Sequence, residues 1–111
     1  MSAIDPEIAG QLATDLPRDV FRTIVQTFEV DLARLVSEMI AAVKANDLEE
    51  YRRGAHGLAG AAGAIGARDL ERAARRAMDP KDQTPPVTMI RDIGSLAQAA
   101  LTELSALARE G

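Results

Sequence analysis

From Phe21 onward the apolar residues return every three or four positions, through Val25, Phe28, Leu32, Leu35 and Met39, flanked by Ile24, Val36, Ile40 and Val43. That rhythm keeps one face of an α-helix apolar and predicts the longest helix of the chain over residues 17–44. Upstream, Asp5-Pro6 combines an N-cap with proline at the first helical position and starts a short helix through about Leu12. A helix of that length does not stand alone in water. Ile4, Ile8 and Leu12 share one side of it and are expected to lid a larger assembly. Asp15-Leu16-Pro17 marks the second start, and Asn46-Asp47 interrupts the pattern. Asp47 then caps a third helix, with Glu50 placed as in a capping box.

The third helix is expected from about Leu48 to Ile65, with Leu48, Tyr51, Ala55, Leu58, Ala62 and Ile65 as its seam and Gly66 as its stop. A fourth, Ala67 to Met78, gathers Leu70, Ala73, Ala74, Ala77 and Met78 on one face and keeps Arg68, Arg72, Arg75 and Arg76 mostly outside it. Three prolines between Asp79 and Pro86 predict a surface loop. The last helix, about Pro86 to Arg109, carries Ile90, Ile93, Ala97, Ala100, Leu104 and Leu107 at the same spacing. Long amphipathic segments with short connections predict an all-α protein: an antiparallel four-helix bundle with a short N-terminal capping helix, one domain over residues 1–111. Neither a strand pattern nor a tandem repeat competes with it.

Composition agrees and removes several chemistries. Across 111 residues, 47% hydrophobic content with 27% charged supports a real core, and only Phe21, Phe28 and Tyr51 are aromatic, which favours helices packed on helices. There is no cysteine and a single histidine, so disulfides, thiolate nucleophiles and zinc sites built on Cys or on several His are excluded. No metal or cofactor is expected on this chain. The acidic N-terminus lacks the basic-then-apolar order of a secretory signal, and the uncharged run from Gly54 to Ala67 is too short to span a bilayer. A cytoplasmic protein that engages no membrane is expected, and Met1 with the capped first helix points to a complete small protein.

A net charge of −4 argues against nucleic acid as a partner, because phosphate backbones call for a basic footprint. The charge is unevenly spread. Residues 1–50 hold ten acidic and four basic side chains, whereas residues 51–80 hold six arginines against Asp69, Glu71 and Asp79. The local excess of positive charge suits an acidic protein surface or a phosphoryl group.

That basic segment surrounds the only histidine, His56, in the run Tyr51-Arg52-Arg53-Gly54-Ala55-His56-Gly57-Leu58-Ala59-Gly60-Ala61-Ala62-Gly63-Ala64-Ile65-Gly66. On the helical register His56 lies roughly 130° from the apolar seam and so faces water. Gly60 and Gly63, four and seven residues on, occupy the same side. Interior glycines cost a helix about 0.8–1 kcal/mol each relative to alanine, and the expected compensation is open access to the imidazole. Arg52 and Arg53 extend that side towards the N-terminus. A neutral imidazole is a nucleophile able to attack phosphorus, and phosphoryl transfer needs approach and charge stabilisation more than elaborate machinery. A hydrolase would need an orienting partner and a serine elbow; a kinase would need a nucleotide loop. Neither motif occurs.

The run Ala55-His56-Gly57-Leu58-Ala59-Gly60-Ala61-Ala62, followed by Ile65-Gly66-Ala67 and Leu70, resembles the signature of histidine-containing phosphotransfer (HPt) domains, in which Ala-His-x-Leu-Lys-Gly precedes small residues, an apolar-Gly-Ala step and a leucine. The resemblance implies a phosphorelay intermediate without autonomous kinase activity. His56 would accept a phosphoryl group from a receiver-domain aspartyl phosphate and pass it to another receiver aspartate. Its partners would be response-regulator receiver domains and a hybrid or sensor histidine kinase, with Mg²⁺ on the receiver. Gly60 matches the family glycine that keeps the imidazole approachable, and Gly63 and Ala59 complete the expected access and docking surface.

One residue departs from the family pattern: Ala59 stands where the family usually has lysine. Arg52 and Arg53, on the preceding turn, are the expected phosphoryl-supporting cations. A non-phosphorylated adaptor for a receiver or kinase, and a structural or oligomerisation bundle packing through its Gly/Ala surface, are the competing readings. For a relay protein a monomer is expected.

Overall fold

The computed structural model describes residues 3–110; Met1, Ser2 and Gly111 lie outside the described residues. It is all-helical among those residues, with α1 (Pro6–Asp15), α2 (Arg18–Lys44), α3 (Leu48–Ala64), α4 (Arg68–Met78) and α5 (Pro86–Glu110). Each of the four longer helices packs on two others, α2 on α3, α3 on α4, α4 on α5 and α5 back on α2, and α1 touches α5 and α2. The 27 residues of α2 nearly span the 44 Å long axis, as a rise of about 1.5 Å per residue requires.

Asp5 Oδ1 accepts the backbone N–H of Glu7 at 2.9 Å, which is the expected cap of α1. The helix continues beyond Leu12 to Asp15 because nothing stops it earlier. Pro17 ends it by forcing Leu16 into an extended conformation, ψ 142°. At the start of α3, Asp47 Oδ1 accepts from the Glu50 N–H at 3.1 Å. The carboxylate of Glu50 does not close a reciprocal box; it pairs with Arg53.

Two helices end in the same way. After α3, the Gly66 N–H donates to Gly63 O at 3.3 Å and the Ala67 N–H to Ala62 O at 2.9 Å, with Gly66 at φ +79°. This paired closure satisfies carbonyls the helix would otherwise leave open, and it requires a left-handed residue. After α2, Asn46 fills that role at φ +58°, with its N–H on Val43 O and that of Asp47 on Ala42 O. Gly66 is fixed a second time by α1: a β-carbon there would stand 3.0 Å from Ile8, and its carbonyl accepts the Asp5 N–H at 2.8 Å. Ile4 is completely buried beside this turn.

The core follows the predicted seams. Phe21, Val25, Phe28, Leu32, Leu35 and Met39 are buried on α2, and Tyr51, Ala55, Leu58, Ala62 and Ile65 on the α3 segment. Leu48, expected on that seam, is 49% exposed, being the first residue of α3 as it leaves the Asn46-Asp47 turn. On α5 the buried line is Met89, Ile93, Ala97, Ala100, Leu104 and Ala108, with Ile90 and Leu107 only partly covered. Alanine and glycine on facing helices bring backbones together. A β-carbon on Gly54 would lie 2.7 Å from Met39 Cγ, and one on Gly57 3.0 Å from Leu35 Cδ2. Packing of α3 onto α2 is thus the use of these two glycines, which face the opposite task from Gly60.

A histidine groove between two helices

His56 lies in the middle of α3 and is exposed. The register that buries Ala55 and Leu58 turns it outward, as expected from the seam. No hydrogen bond or ion pair holds the imidazole among the described residues. Beside it, a β-carbon on Gly60 would meet nothing within 4 Å. Both ring nitrogens are therefore available to an incoming group, on a surface without neighbouring bulk.

The imidazole borders an open groove of about 210 Å³ between α3 and α4, lined by His56, Ala59, Gly60 and Gly63 from one helix and Glu71, Arg75 and Met78 from the other. The expected docking positions thus divide by depth. Gly60 is exposed, whereas Ala59 is only 6% exposed and forms floor rather than surface. Gly63 does not leave empty space. The carboxylate of Glu71 occupies it, with Oε2 3.0 Å from where a β-carbon would be.

Glu71 is also the electrostatic centre of this edge. Arg75 donates to its Oε2 at 2.8 Å and Arg68 to its Oε1 at 3.3 Å. The hydrogen bond from Arg75, with a further one from Arg68, outweighs desolvation and holds Glu71 below the usual carboxylate range. Arg68 reaches on to Asp5, with 3.6 Å between Nε and Oδ2, and so ties this edge to α1. The other arginines of α4 are also matched within the chain, Arg72 by Asp69 and Arg76 by Asp82 and Thr84. The positive excess of the region is mostly balanced locally.

Arg52 and Arg53 are not among the residues lining the His56 groove. Arg53 is held by Glu50 and Glu49 on its own helix. Arg52 has no ion pair among the described residues and borders a separate hollow with Tyr51, Arg76 and Asp82. Sequence reasoning missed Glu71 and Arg75 as neighbours of His56. Their signal was present in the arginine-rich face of α4, but only the reversal of the chain at Gly66 brings that face beside α3.

Among the described residues no group of acidic or histidine side chains is arranged to hold a metal ion, and no helix is long and apolar enough to cross a membrane. Nothing matches the chain among curated proteins or among solved structures. The family described as Hpt domain does match, over residues 23–109, a span that runs from α2 through α5 and contains His56 with its groove. On that match the chain belongs to the Hpt domain family.

Proposed function

We propose that the chain is a phosphorelay intermediate in two-component signalling, with His56 as its phosphoacceptor. The observation that carries this reading is an exposed imidazole without a partner among the described residues, next to a glycine whose side is open. In the transfer, a lone pair of the neutral imidazole forms the N–P bond as the O–P bond of a receiver's aspartyl phosphate breaks. The bonding pair leaves with the receiver's carboxylate, and the second ring nitrogen keeps its proton. Reversal onto another receiver restores the imidazole. Positioning and charge stabilisation are the main demands of such a step, and a rigid helix provides the first.

In this reading the helices run as an antiparallel four-helix bundle capped by α1, and residues 1–111 act as one domain. Response-regulator receivers and a hybrid or sensor histidine kinase dock over Gly60 beside His56, and Mg²⁺ sits among the receiver's own carboxylates. The protein acts in the cytoplasm as a monomer. Arg52, one turn before His56 and without an ion pair among the described residues, is the freer of the two cations on the histidine's own helix, although it borders a separate hollow; Arg53 would first have to leave Glu49 and Glu50.

Incubation with a phosphorylated receiver should transfer acid-labile phosphate to the wild type and none to His56→Gln. Label on the mutant, or none on the wild type with several receivers, defeats the relay. Ala59 in the usual lysine position motivates a second reading, an adaptor that binds receivers without being phosphorylated. Binding of a receiver in the absence of transfer would select it.

A further inference from the structure

We infer that Arg75, positioned by Glu71, is the cation that supports a phosphoryl group on His56, reaching across from α4 to replace the lysine that Ala59 lacks. The inference rests on the phosphotransfer reading of His56 and goes beyond it, by moving the supporting charge from the histidine's own helix to its neighbour.

The register of the two helices carries the argument. Glu71, early in α4, lies against Gly63, late in α3. Met78, at the end of α4, shares the groove with His56, nearer the start of α3. The helices are thus matched in reversed order. Four residues away from the Gly63–Glu71 contact, in opposite directions along the two chains, are Ala59 and Arg75. A further three bring His56 level with Met78. Since both helices rise about 1.5 Å per residue, equal steps keep the pairs abreast. Arg75 consequently stands opposite the position where the family's lysine would begin, and the methyl group of Ala59 leaves the intervening groove open.

Arg75 is suited to that place. One terminal nitrogen donates to Glu71 Oε2, and its side chain is otherwise 66% exposed. A guanidinium has five N–H donors in a planar fork, so most of them remain free for phosphoryl oxygens while Glu71 keeps its bond. Glu71 would repel a phosphoryl group by itself, but Arg75 and Arg68, the latter shared with Asp5, neutralise it. The groove of about 210 Å³ also has room for the group, since a water molecule takes only about 30 Å³. Gly63 completes the arrangement by admitting the Glu71 carboxylate.

The test uses phosphoramidate, a small phosphoryl donor, so that no receiver supplies a cation of its own. Phosphohistidine on the wild type, Arg75→Gln, Arg75→Lys and Arg75→Gln combined with Ala59→Lys is followed by ³¹P NMR at neutral pH, with thermal melts to establish folding. Arg75→Gln should shorten the phosphohistidine half-life roughly threefold, the scale of an exposed charge pair. Arg75→Lys should fall between it and the wild type. Ala59→Lys should restore the lifetime in the Arg75→Gln background, and a loss of lifetime in an Arg75→Gln protein whose melt is unchanged, partly recovered by Arg75→Lys, separates charge from a merely structural role. An unchanged half-life in a folded Arg75→Gln protein overturns the inference and leaves the relay reading intact. Failure of the wild type to take label at His56, from phosphoramidate and from a phosphorylated receiver alike, overturns both.

Discussion

The carboxylate of Glu71 rests on the bare backbone of Gly63, its Oε2 3.0 Å from the position a β-carbon would take. This contact joins α4 to α3 at the edge of the His56 groove, and it makes the glycine a requirement of the ion pairs rather than of open surface. Replacing Gly63 by alanine should displace Glu71, which sits at the end of a flexible side chain. The helix gains about 0.8–1 kcal/mol from the substitution. Loss of the bonds to Arg75 and Arg68, about 0.2–1 kcal/mol each at exposed positions, opposes it. Net stability should therefore change by less than about 1 kcal/mol.

The titration of Glu71 is the sharper readout of that change. Arg75 first, and Arg68 with it, lower its pKa from the ordinary value of 4.5. Such a group contributes stability that is fully present above the ordinary value and is lost as pH falls through the lowered one. In Gly63→Ala the midpoint should move up towards 4.5 as the carboxylate shifts and its contacts with the arginines weaken. Carboxyl NMR measures it directly, and an unmoved midpoint would show that Gly63 does not govern the contact.

Gly54 and Gly60 lie six residues apart on one helix and should respond oppositely to alanine. At Gly54 the new carbon would meet Met39 Cγ at 2.7 Å, in a fully buried part of the α2–α3 interface. Overpacking of that kind costs about 1–3 kcal/mol, more than the helix-propensity gain of about 1 kcal/mol. At Gly60 a β-carbon would meet no side chain or neighbouring helix within 4 Å among the described residues, so alanine should gain up to about 1 kcal/mol. Urea denaturation should give a lower midpoint for Gly54→Ala and a higher one for Gly60→Ala. The larger Gly60→Leu should stay folded but slow phosphotransfer, because it adds bulk only where a receiver would approach. Equal transfer rates for Gly60→Leu and the wild type would refute steric access as the reason for Gly60.

The difference between these glycines also marks what the sequence can convey. Periodicity alone placed the buried line of α2, from Phe21 to Met39, and turned His56 outward, because both depend only on residues along one helix. The stop at Gly66 and the caps at Asp5 and Asp47 were legible for the same reason. Gly54 was not, since its use depends on Met39 arriving from another helix. Arg75 stood in plain sight on a polar face, yet its relation to His56 depends on how tightly the chain reverses between Ala64 and Arg68. The end of α1 was missed more simply: exposed Ala13 and Thr14 carry no apolar signal, and the restriction that Pro17 places on Leu16 sets the boundary.

The loop between α4 and α5 is held by Asp82, and its strength should depend on acid. Asp82 Oδ1 accepts the Thr84 N–H at 2.8 Å, Oδ2 accepts from Arg76 Nε at 3.2 Å, and Arg76 also donates to the Thr84 hydroxyl at 3.2 Å. Hydrogen bonds from Thr84, followed by that from Arg76, hold the Asp82 pKa down to about 2, against an ordinary 3.8. Its contribution to stability is thus complete above the ordinary value and disappears as pH falls through about 2. Asp82→Asn keeps much of the shape but removes the charge, so it should lower the melting temperature at neutral pH and leave a smaller difference from the wild type at pH about 2. Melts of both proteins across that range test the assignment. A constant difference at every pH would mean that the aspartate acts through its shape and hydrogen bonds, without its charge.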